Sequence, residues 1–208
     1  MGKRLFDILF SLAVLILLGP FLLAVAALIK IGSPGPAFYR GERVGLGGRR
    51  FRIYKFRSMV VDADKKGASS TAEDDPRVTK IGRFLRKYKL DELPQFINVL
   101  AGDMSVVGPR PQVAWAVDLY TPEERKLLDV RPGVTDYASI RFRNEGEILR
   151  GYPDPDKAYL ELIAPEKTRL GLDYVRHHSL AVDLKIIAMT FVSLFRKPAQ
   201  VATPTTAP

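Results

Sequence analysis

The hydrophobic positions of this chain form two kinds of pattern. One apolar run extends from Ile8 to Ile29 and contains no charged residue. As a helix rising ~1.5 Å per residue it would be about 33 Å long, enough to cross the hydrocarbon core of a bilayer. The other apolar residues recur at spacings of two, three or four in a polar chain, which predicts short strands and amphipathic helices. The pattern therefore predicts a membrane element followed by a folded body.

The apolar run has features that a simple spanning helix does not explain. Gly19-Pro20 lies in its middle, and a proline removes a backbone donor and favours a kink. Basic residues flank both ends, with Lys3 and Arg4 in front, which favours the cytoplasmic side for both ends. Asp7 follows these cations at helical spacing and is expected to pair with them. A helix that bends at Pro20 and re-enters the same face explains these features, and a spanning helix stays open as the alternative.

The sequence pattern of the body predicts an α+β fold that is mostly helical, with short strands and interfacial amphipathic helices. Residues 51–59 alternate and predict a strand that carries Lys55 and Arg57 on one face. The other predicted elements are helices at 81–88, from Asp91 to Gly102, from Thr121 onwards and at 180–195, and strands at 104–107 and 137–140. We expect a membrane helix over 1–31, a body over 32–197 and a flexible tail over 198–208.

Charge and composition narrow the function classes. Lys and Arg total 32 against 23 Asp and Glu, so the net charge is +9 and anionic partners are expected. The chain has no Cys, which excludes disulfides, a thiol nucleophile and a Cys-based zinc site. No nucleic-acid recognition motif is present and the apolar run opposes that function, so we expect no nucleic-acid partner. A non-catalytic basic scaffold on acidic lipid headgroups stays open as a second hypothesis.

Two adjacent carboxylates, Asp91 and Glu92, are surrounded by cations. Arg86 precedes them, and Arg110 follows between two prolines that stiffen its backbone. A carboxylate can attack phosphorus to form an acyl phosphate, and phosphoryl transfer otherwise needs positioning and positive charge. Asp91 is therefore the candidate nucleophile and Glu92 a candidate oxygen ligand for Mg²⁺. Arg86 and Arg110 are candidates to clamp a diphosphate.

Eight sequence segments between residues 3 and 190 together resemble the motifs of a known family, and they occur in the same order as in that family. They are Lys3-Arg4-Leu5-Phe6-Asp7, the proline-broken apolar run, Tyr54-Lys55-Phe56-Arg57-Ser58-Met59, Leu90-Asp91-Glu92-Leu93-Pro94-Gln95, Gly102-Asp103-Met104-Ser105, Gly108-Pro109-Arg110-Pro111, Arg131-Pro132-Gly133-Val134-Thr135, and Ser179-Leu180 with Asp183-Leu184-Lys185-Ile186. Together they resemble the bacterial sugar transferase family, the monotopic phosphoglycosyl transferases that start glycan assembly on polyprenol phosphate.

The resemblance implies a chemistry for the carboxylate pair. Asp91 would attack the β-phosphate of a UDP-sugar and release UMP, and polyprenol (undecaprenyl) phosphate would then accept the phosphosugar. Mg²⁺ would be held by Glu92 together with Asp91. The implied substrate-binding residues are Arg86, Arg110, Lys55, Arg57, Arg143 and Asn144.

The resemblance also implies a place in the cell. The apolar helix would re-enter the cytoplasmic face of the bacterial inner membrane, with Lys3, Arg4, Asp7, Gly19 and Pro20 as its membrane-associated residues. The chain looks like the single-domain form of the family, without further membrane segments. The sequence names neither the sugar, the polyprenol length, the glycan pathway nor the oligomeric state.

One region departs from the family pattern. Members often carry Gly-Trp-Ala-Gln where this chain has Asp136-Tyr137-Ala138-Ser139, and many then carry Asn-Gly-Arg-Asn where it has Arg141-Phe142-Arg143-Asn144. Arg143 and Asn144 match while their neighbours differ. If this segment contacts the sugar, the donor differs from the commoner ones.

Overall fold

The computed structural model of the chain describes residues 2–195, and these form helices joined by short strands. The helices are α1 (Gly2–Gly32), α2 (Lys80–Lys87), α3 (Gln95–Ala101), α4 (Ala114–Asp118), α5 (Tyr137–Arg141), α6 (Glu145–Ile148), α7 (Pro155–Leu162), α8 (Ala164–His177) and α9 (Leu180–Phe195). The strands are β1 (Phe38–Tyr39), β2 (Glu42–Val44), β3 (Arg50–Arg52), β4 (Lys55–Phe56), β5 (Ser105–Val107) and β6 (Gly133–Thr135). The mostly helical prediction is confirmed, whereas the predicted tail at 198–208 lies outside the described residues.

The strands pair in twos rather than forming one sheet. β1 pairs with β4 and β2 with β3, both antiparallel, whereas β5 and β6 are parallel. Gly108 and Gly133 allow the two backbones to approach closely at this pair. A Cβ added at Gly133 would lie only 2.1 Å from the backbone nitrogen of Gly108. Because parallel strands end at the same edge, the segments after Val107 and after Thr135 emerge side by side. The first of these segments carries Arg110, and the second carries residues 136–144, the region that differs from the family pattern.

The main hydrophobic core lies between α3, β5 and the last two helices. Val99, Met104 and Val107 are fully buried there, with Ile186 of α9 against them. The first half of α1 packs on this core through partly buried side chains such as Phe6. The second half of α1 forms another cluster with Phe56 and Leu85. The long apolar helix thus contacts the body near both of its ends.

Two basic side chains fasten the start of α1 to the body. Lys3 Nζ lies 2.6 Å from Oδ2 of the buried Asp183. Arg4 donates to the carbonyl of Val99 at 2.6 Å and to that of Leu100 at 3.0 Å. These carbonyls belong to the last turn of α3, where a cation also meets the negative end of the helix dipole.

Asp7 is buried and does not pair with Lys3 or Arg4 as its spacing had suggested. Its Oδ1 accepts hydrogen bonds from the Ser105 hydroxyl and the Val106 N–H, both at 3.0 Å. The predicted pairing within the helix is therefore wrong. A buried N–H needs an acceptor, and β5 offers Asp7 two donors that the surface of the helix does not.

Arg57 caps the other end of α1. Its guanidinium donates to the Ser33 carbonyl at 2.8 Å, to the Ser33 hydroxyl at 2.9 Å and to the carbonyl of Pro34. Gly35 allows this approach, because a Cβ there would lie 2.3 Å from Nη1 of Arg57. Arg57 was predicted to bind the nucleotide or an anionic surface, but the structure engages it with backbone oxygens left without partners where the helix ends.

Among residues 2–195, α1 is the helix that is long and apolar enough to cross a membrane. Its helical structure continues through Gly19 and Pro20, so the predicted break does not end the helix. Large apolar side chains on its outer face are exposed, for example Ile16 at 72% and Leu17 at 78%. Re-entry into one face of the membrane stays a prediction.

Three elements differ from their prediction in type or in their first residue, because of local backbone contacts. Residues 137–140 were predicted as a strand, but they form α5, because Asp136 Oδ1 accepts from the N–H of Ser139 at 2.6 Å and caps a helix. α3 begins at Gln95 rather than at Asp91, which lies in a separate 3₁₀ turn, Leu90–Glu92. The helix expected from Thr121 has the predicted capping hydrogen bonds but becomes a 3₁₀ helix, Glu124–Asp129.

Two helices leave aromatic side chains exposed. Phe84 and Tyr88 lie on or beside α2 with ring centroids 5.0 Å apart, and Phe191 and Phe195 lie on α9. All four are at least 45% exposed. α9 spans the predicted residues 180–195, which confirms that helix. Its position at a lipid interface stays a prediction.

Candidate active site

The carboxylate pair lies in a tight turn between α2 and α3. Lys89 adopts the left-handed conformation with φ of 56°, and the 3₁₀ turn Leu90–Glu92 follows. A left-handed lysine costs about 1 kcal/mol, so the surrounding packing must hold this turn in place. Asp91 is only 6% exposed. The turn packs against β4, which supplies Lys55.

Glu92 is held by two cations. Arg110 donates from Nη1 to Oε2 at 3.0 Å and from Nη2 to Oε1 at 2.5 Å, which is a bidentate ion pair. Lys55 Nζ lies 3.2 Å from Oε1. Pro109 and Pro111 stiffen the backbone on either side of Arg110. The structure therefore brings Lys55 and Arg110, two predicted substrate-binding residues, to the carboxylate pair.

Asp91 is held differently from its neighbour. Its Oδ1 is buried and accepts no hydrogen bond from any residue in 2–195. A buried acceptor without a donor is rare in folded proteins and needs an explanation. Arg86 and Lys89 are close enough to favour the charged form of Asp91. One carboxylate oxygen is thus free within a cationic surrounding.

The two carboxyl groups have pKa values shifted in opposite directions. Burial and the charge of Glu92 raise the pKa of Asp91, against the opposing effects of Lys55, Arg86 and Lys89. Burial also acts to raise the pKa of Glu92, but Arg110 and Lys55 outweigh it and hold that pKa well below its usual range. Glu92 is therefore the more acidic carboxyl group of the pair. Asp91 is the more basic carboxylate.

The nearby amines also respond to burial. Burial lowers the pKa of Lys55 to about 8, although Glu92 acts in the other direction. Burial likewise lowers the pKa of Lys89. Perturbed pKa values in one cluster are typical of functional sites. Lys89 was not among the predicted site residues, although it directly precedes the Leu90-Asp91-Glu92 motif.

Two other predicted substrate-binding residues lie away from the pair. Arg143 donates to the carbonyl oxygens of Ser193 and Leu194 in the last turn of α9. Asn144 donates from Nδ2 to Glu147 Oε2 at 3.1 Å, whereas its Oδ1 is buried and has no partner in residues 2–195. Arg143 thus joins Arg4 and Arg57 in capping the end of a helix, and its substrate contact stays a prediction.

Glu145 is a second residue that the sequence reasoning missed. Its carboxylate forms an ion pair with Lys167, whose side chain is only 9% exposed. Its charge contributes, after that of Glu92, to the raised pKa of Arg110, and it partly offsets the lowering of the Lys89 pKa by burial. Glu145 therefore borders the same cationic cluster as the carboxylate pair. The signal available in the sequence was only its place next to Asn144.

The donor set decides whether Mg²⁺ fits here. Residues 2–195 contain no group of three or more His, Cys, Asp or Glu side chains that could hold a metal. Asp91 Oδ1 is a free oxygen, and Glu92 is a second carboxylate in the same turn. Mg²⁺ is often bound by one or two carboxylates with substrate phosphates and water as the other ligands. The pair fits that kind of site.

Comparison with known proteins places this geometry in a family. The model described as "Bacterial sugar transferase" matches residues 1–197. The UDP-glucose:undecaprenyl-phosphate glucose-1-phosphate transferase of Escherichia coli is 37% identical over 196 residues, covering 90% of this chain and 39% of that protein. The exopolysaccharide production protein PSS of Rhizobium leguminosarum is 42% identical, with 92% and 94% covered.

A further relative is the UDP-N-acetylgalactosamine-undecaprenyl-phosphate N-acetylgalactosaminephosphotransferase of Aeromonas hydrophila. It is 40% identical over 192 residues, which cover 90% of this chain and 42% of that protein. The chain therefore spans about two fifths of the Escherichia and Aeromonas proteins and nearly the whole of the Rhizobium protein.

Proposed function

The chain belongs to the bacterial sugar transferase family, and we propose that it transfers a sugar 1-phosphate from a UDP-sugar to undecaprenyl phosphate. The observation that carries this proposal is the buried, unpartnered oxygen of Asp91 within a cluster of Lys and Arg side chains. The relatives that act on undecaprenyl phosphate support the acceptor, and those named for UDP-sugars support the donor. The reaction would be an early membrane step of glycan or exopolysaccharide assembly.

In the first step, Asp91 acts as the nucleophile. An Oδ of Asp91 forms a bond to the β-phosphorus, and the bond between that phosphorus and the bridging oxygen breaks. UMP leaves with the electron pair of the broken bond. The raised pKa of Asp91 means greater basicity once the group is ionised, which favours attack.

In the second step, an oxygen of undecaprenyl phosphate attacks the same phosphorus. The bond to the Asp91 oxygen breaks, the carboxylate is regenerated, and the lipid leaves as a sugar-linked diphosphate. Two displacements at one site need the same charge stabilisation twice, which suits a rigid cluster. Arg86, Lys55, Lys89 and Arg110 supply positive charge beside the pair.

Asp91 and Glu92 would hold Mg²⁺, with the phosphates of the donor as further ligands. When bound, the ion would offset the charge of the diphosphate and of the leaving UMP. The protein's own residues orient the site: Arg110 and Lys55 hold Glu92 in one position. The free oxygen of Asp91 stays available for attack.

The anchors at both ends of α1 support a re-entrant helix. Arg4 ties its start to α3, and Arg57, which directly follows β4, binds Ser33 just beyond its end. Because both ends contact one body, a helix in the membrane would bring both ends to the face on which that body lies. We propose the cytoplasmic face of the inner membrane, where basic flanking residues meet acidic headgroups.

The test is UMP release from a UDP-sugar in the presence of undecaprenyl phosphate and Mg²⁺. Asp91→Asn should abolish turnover, because an amide cannot form the acyl phosphate. The matched control is Asp62→Asn, since Asp62 is an exposed aspartate in a left-handed conformation that Asn accepts readily. This variant should keep the wild-type rate.

A second readout is the intact mass of protein quenched after incubation with the UDP-sugar and Mg²⁺ in the absence of undecaprenyl phosphate, so that the second step cannot occur. The expected result is a mass increase of one phosphosugar that is missing in Asp91→Asn. Near-normal turnover in Asp91→Asn, or the lack of any adduct on the active wild-type enzyme, would refute the nucleophile.

A further inference from the structure

Gln95, the first residue of α3, is a buried polar side chain close to the carboxylate pair. It is only 1% exposed, and its Nε2 has no acceptor within residues 2–195. An apolar side chain of the same size would fill this place without leaving an N–H unbonded. Because a buried donor without an acceptor destabilises a folded protein, the amide at this position needs an explanation.

The backbone places Gln95 on the same side of the chain as Asp91. Leu93 and Pro94 both have helical φ and ψ, so the 3₁₀ turn Leu90–Glu92 continues into α3 along a helical path. Residues four apart on a helix are neighbours on its surface. The two buried side chains therefore lie one turn apart. One carries an acceptor without a donor, and the other carries a donor without an acceptor.

Contacts of neighbouring residues show which segment the Gln95 side chain faces. Asn98, in the next turn of α3, accepts from the N–H of Tyr54 at 2.8 Å and donates to the carbonyl of Arg52 at 2.9 Å. At the other end, Lys55 Nζ lies 3.2 Å from an oxygen of the carboxylate pair. The segment from Arg52 to Lys55 thus runs alongside the buried side of this helix. Gln95 lies between the two contacts, towards the cationic cluster.

A phosphoryl group has the chemistry that both unpartnered atoms require. Its phosphorus is the atom that an oxygen of Asp91 attacks, and its non-bridging oxygens are acceptors for an N–H. Negative charge on these oxygens has to be stabilised while the phosphorus changes partners. A donor that is already fixed in place stabilises such charge without reorganising, and burial fixes the amide of Gln95.

We propose that Gln95 is a catalytic residue whose Nε2–H donates a hydrogen bond to a non-bridging oxygen of the transferred phosphate. This inference rests on the proposed function, because the phosphate is the one that Asp91 attacks. The amide keeps its protons throughout. It holds one oxygen while the bond from Asp91 to phosphorus forms and the bond to UMP breaks, and again while undecaprenyl phosphate displaces Asp91. The donor is bonded only when this phosphate is present, so it stabilises the reacting states and not the free protein.

The experiment measures Tm in nanodiscs and the kinetics of UMP release for Gln95→Met, which keeps the side-chain volume and removes the amide. The donors are UDP-glucose and UDP-N-acetylgalactosamine. We expect kcat to fall by about 100-fold, as for the loss of one donor to a reacting oxyanion. Tm should equal or exceed the wild-type value, because the donor that is removed had no acceptor. A lower Tm with the wild-type kcat on the folded fraction would overturn the proposal and make Gln95 structural.

Two other residues of α3 calibrate this measurement. Asn98→Ala removes a buried amide that has partners, so its Tm should fall and show that the assay detects a structural amide. Ile97→Met changes an exposed side chain of the same helix and should leave both Tm and kcat unchanged.

A donor with sulfur in place of one non-bridging oxygen of the β-phosphate gives the deciding readout. Sulfur accepts hydrogen bonds more weakly than oxygen, so one diastereomer should react more slowly with the wild type. The ratio of kcat for the oxygen donor to kcat for this sulfur donor should be about tenfold smaller in Gln95→Met, where the hydrogen bond is already missing. The ratio is measured on one preparation, so incomplete folding does not change it.

Each outcome of the sulfur experiment decides one question. Equal ratios in the wild type and Gln95→Met for both diastereomers would overturn the hydrogen bond from Gln95, whatever happens to kcat, and would leave the proposed transferase standing. A smaller ratio in the variant for one diastereomer supports it, even where Tm has also fallen. A wild type that releases no UMP from either UDP-sugar would instead count against the proposed function itself.

Discussion

Replacing Arg57 tests whether this residue caps the end of α1, as the structure shows, or binds the substrate, as its sequence motif suggested. In the structure the guanidinium bonds the Ser33 carbonyl, the Ser33 hydroxyl and the Pro34 carbonyl at the end of α1. Arg57→Lys keeps the charge but cannot reach these acceptors with a planar fork. Arg57→Met removes the charge and every donor. Both variants should therefore loosen the joint between α1 and the body.

The size of the effect follows from the hydrogen bonds that each variant is unable to form. A hydrogen bond to a charged donor contributes about 1.5 kcal/mol or more, and Arg57→Lys removes at least two of them, or about 3 kcal/mol. For a chain of this length each kcal/mol lowers Tm by about 2–4 °C, so a decrease of about 6–12 °C is expected. Arg57→Met should destabilise the protein at least as much, because it removes both the charge and every donor to these carbonyl oxygens.

The assay is thermal unfolding of the protein in nanodiscs, with UMP release measured on the folded fraction. The exposed Arg52→Lys serves as the control and should change neither Tm nor KM. We expect KM for the UDP-sugar to stay at the wild-type value in Arg57→Lys. An unchanged Tm together with a raised KM would refute the capping role and favour direct contact with the nucleotide.

Two further predictions concern buried carboxylates. Asp7→Ala should lower the free energy of unfolding by about 2 kcal/mol, because the Val106 N–H and the Ser105 hydroxyl lose their acceptor; an unchanged Tm in nanodiscs would contradict this. Burial acts to raise the pKa of Glu145, but Lys167 outweighs it with help from Arg110 and Lys89, so the pKa is lowered. This stabilisation is therefore present above the unfolded pKa of about 4.3 and is lost as pH falls through the folded value. Lys167→Met should shift acid unfolding to higher pH, and identical profiles of Tm between pH 3 and 7 would refute the pairing.

The sequence predicted those features that local patterns encode. The apolar run, the helix at 180–195 and the strand before Gly108 follow from spacing and composition, and the structure has all three. The prediction failed where a single capping contact outweighed the pattern. Residues 137–140 were predicted as a strand, but the carboxylate of Asp136 caps the start of a helix there instead.

The arginines show most clearly what spacing does not encode. Arg57, Arg110 and Arg143 all lie in polar motifs, and each was predicted to bind substrate. Only Arg110 lies against the carboxylate pair, whereas the other two donate to backbone oxygens at helix ends. Which acceptor a guanidinium reaches depends on how distant segments pack, and a one-dimensional pattern does not contain that information.

The sequence by itself determined the chemical inventory of this protein: an apolar helix, an excess of positive charge and an Asp91-Glu92 pair that matches a transferase family. Only the tertiary structure decided how that inventory is divided. In the folded chain Glu92 forms ion pairs with Arg110 and Lys55, whereas one oxygen of Asp91 has no partner within residues 2–195. Folding also places Glu145, more than fifty residues further along the chain, beside the same cluster. The physical reason is that burial and charge pairing depend on distances through space, which are set only when the chain has folded.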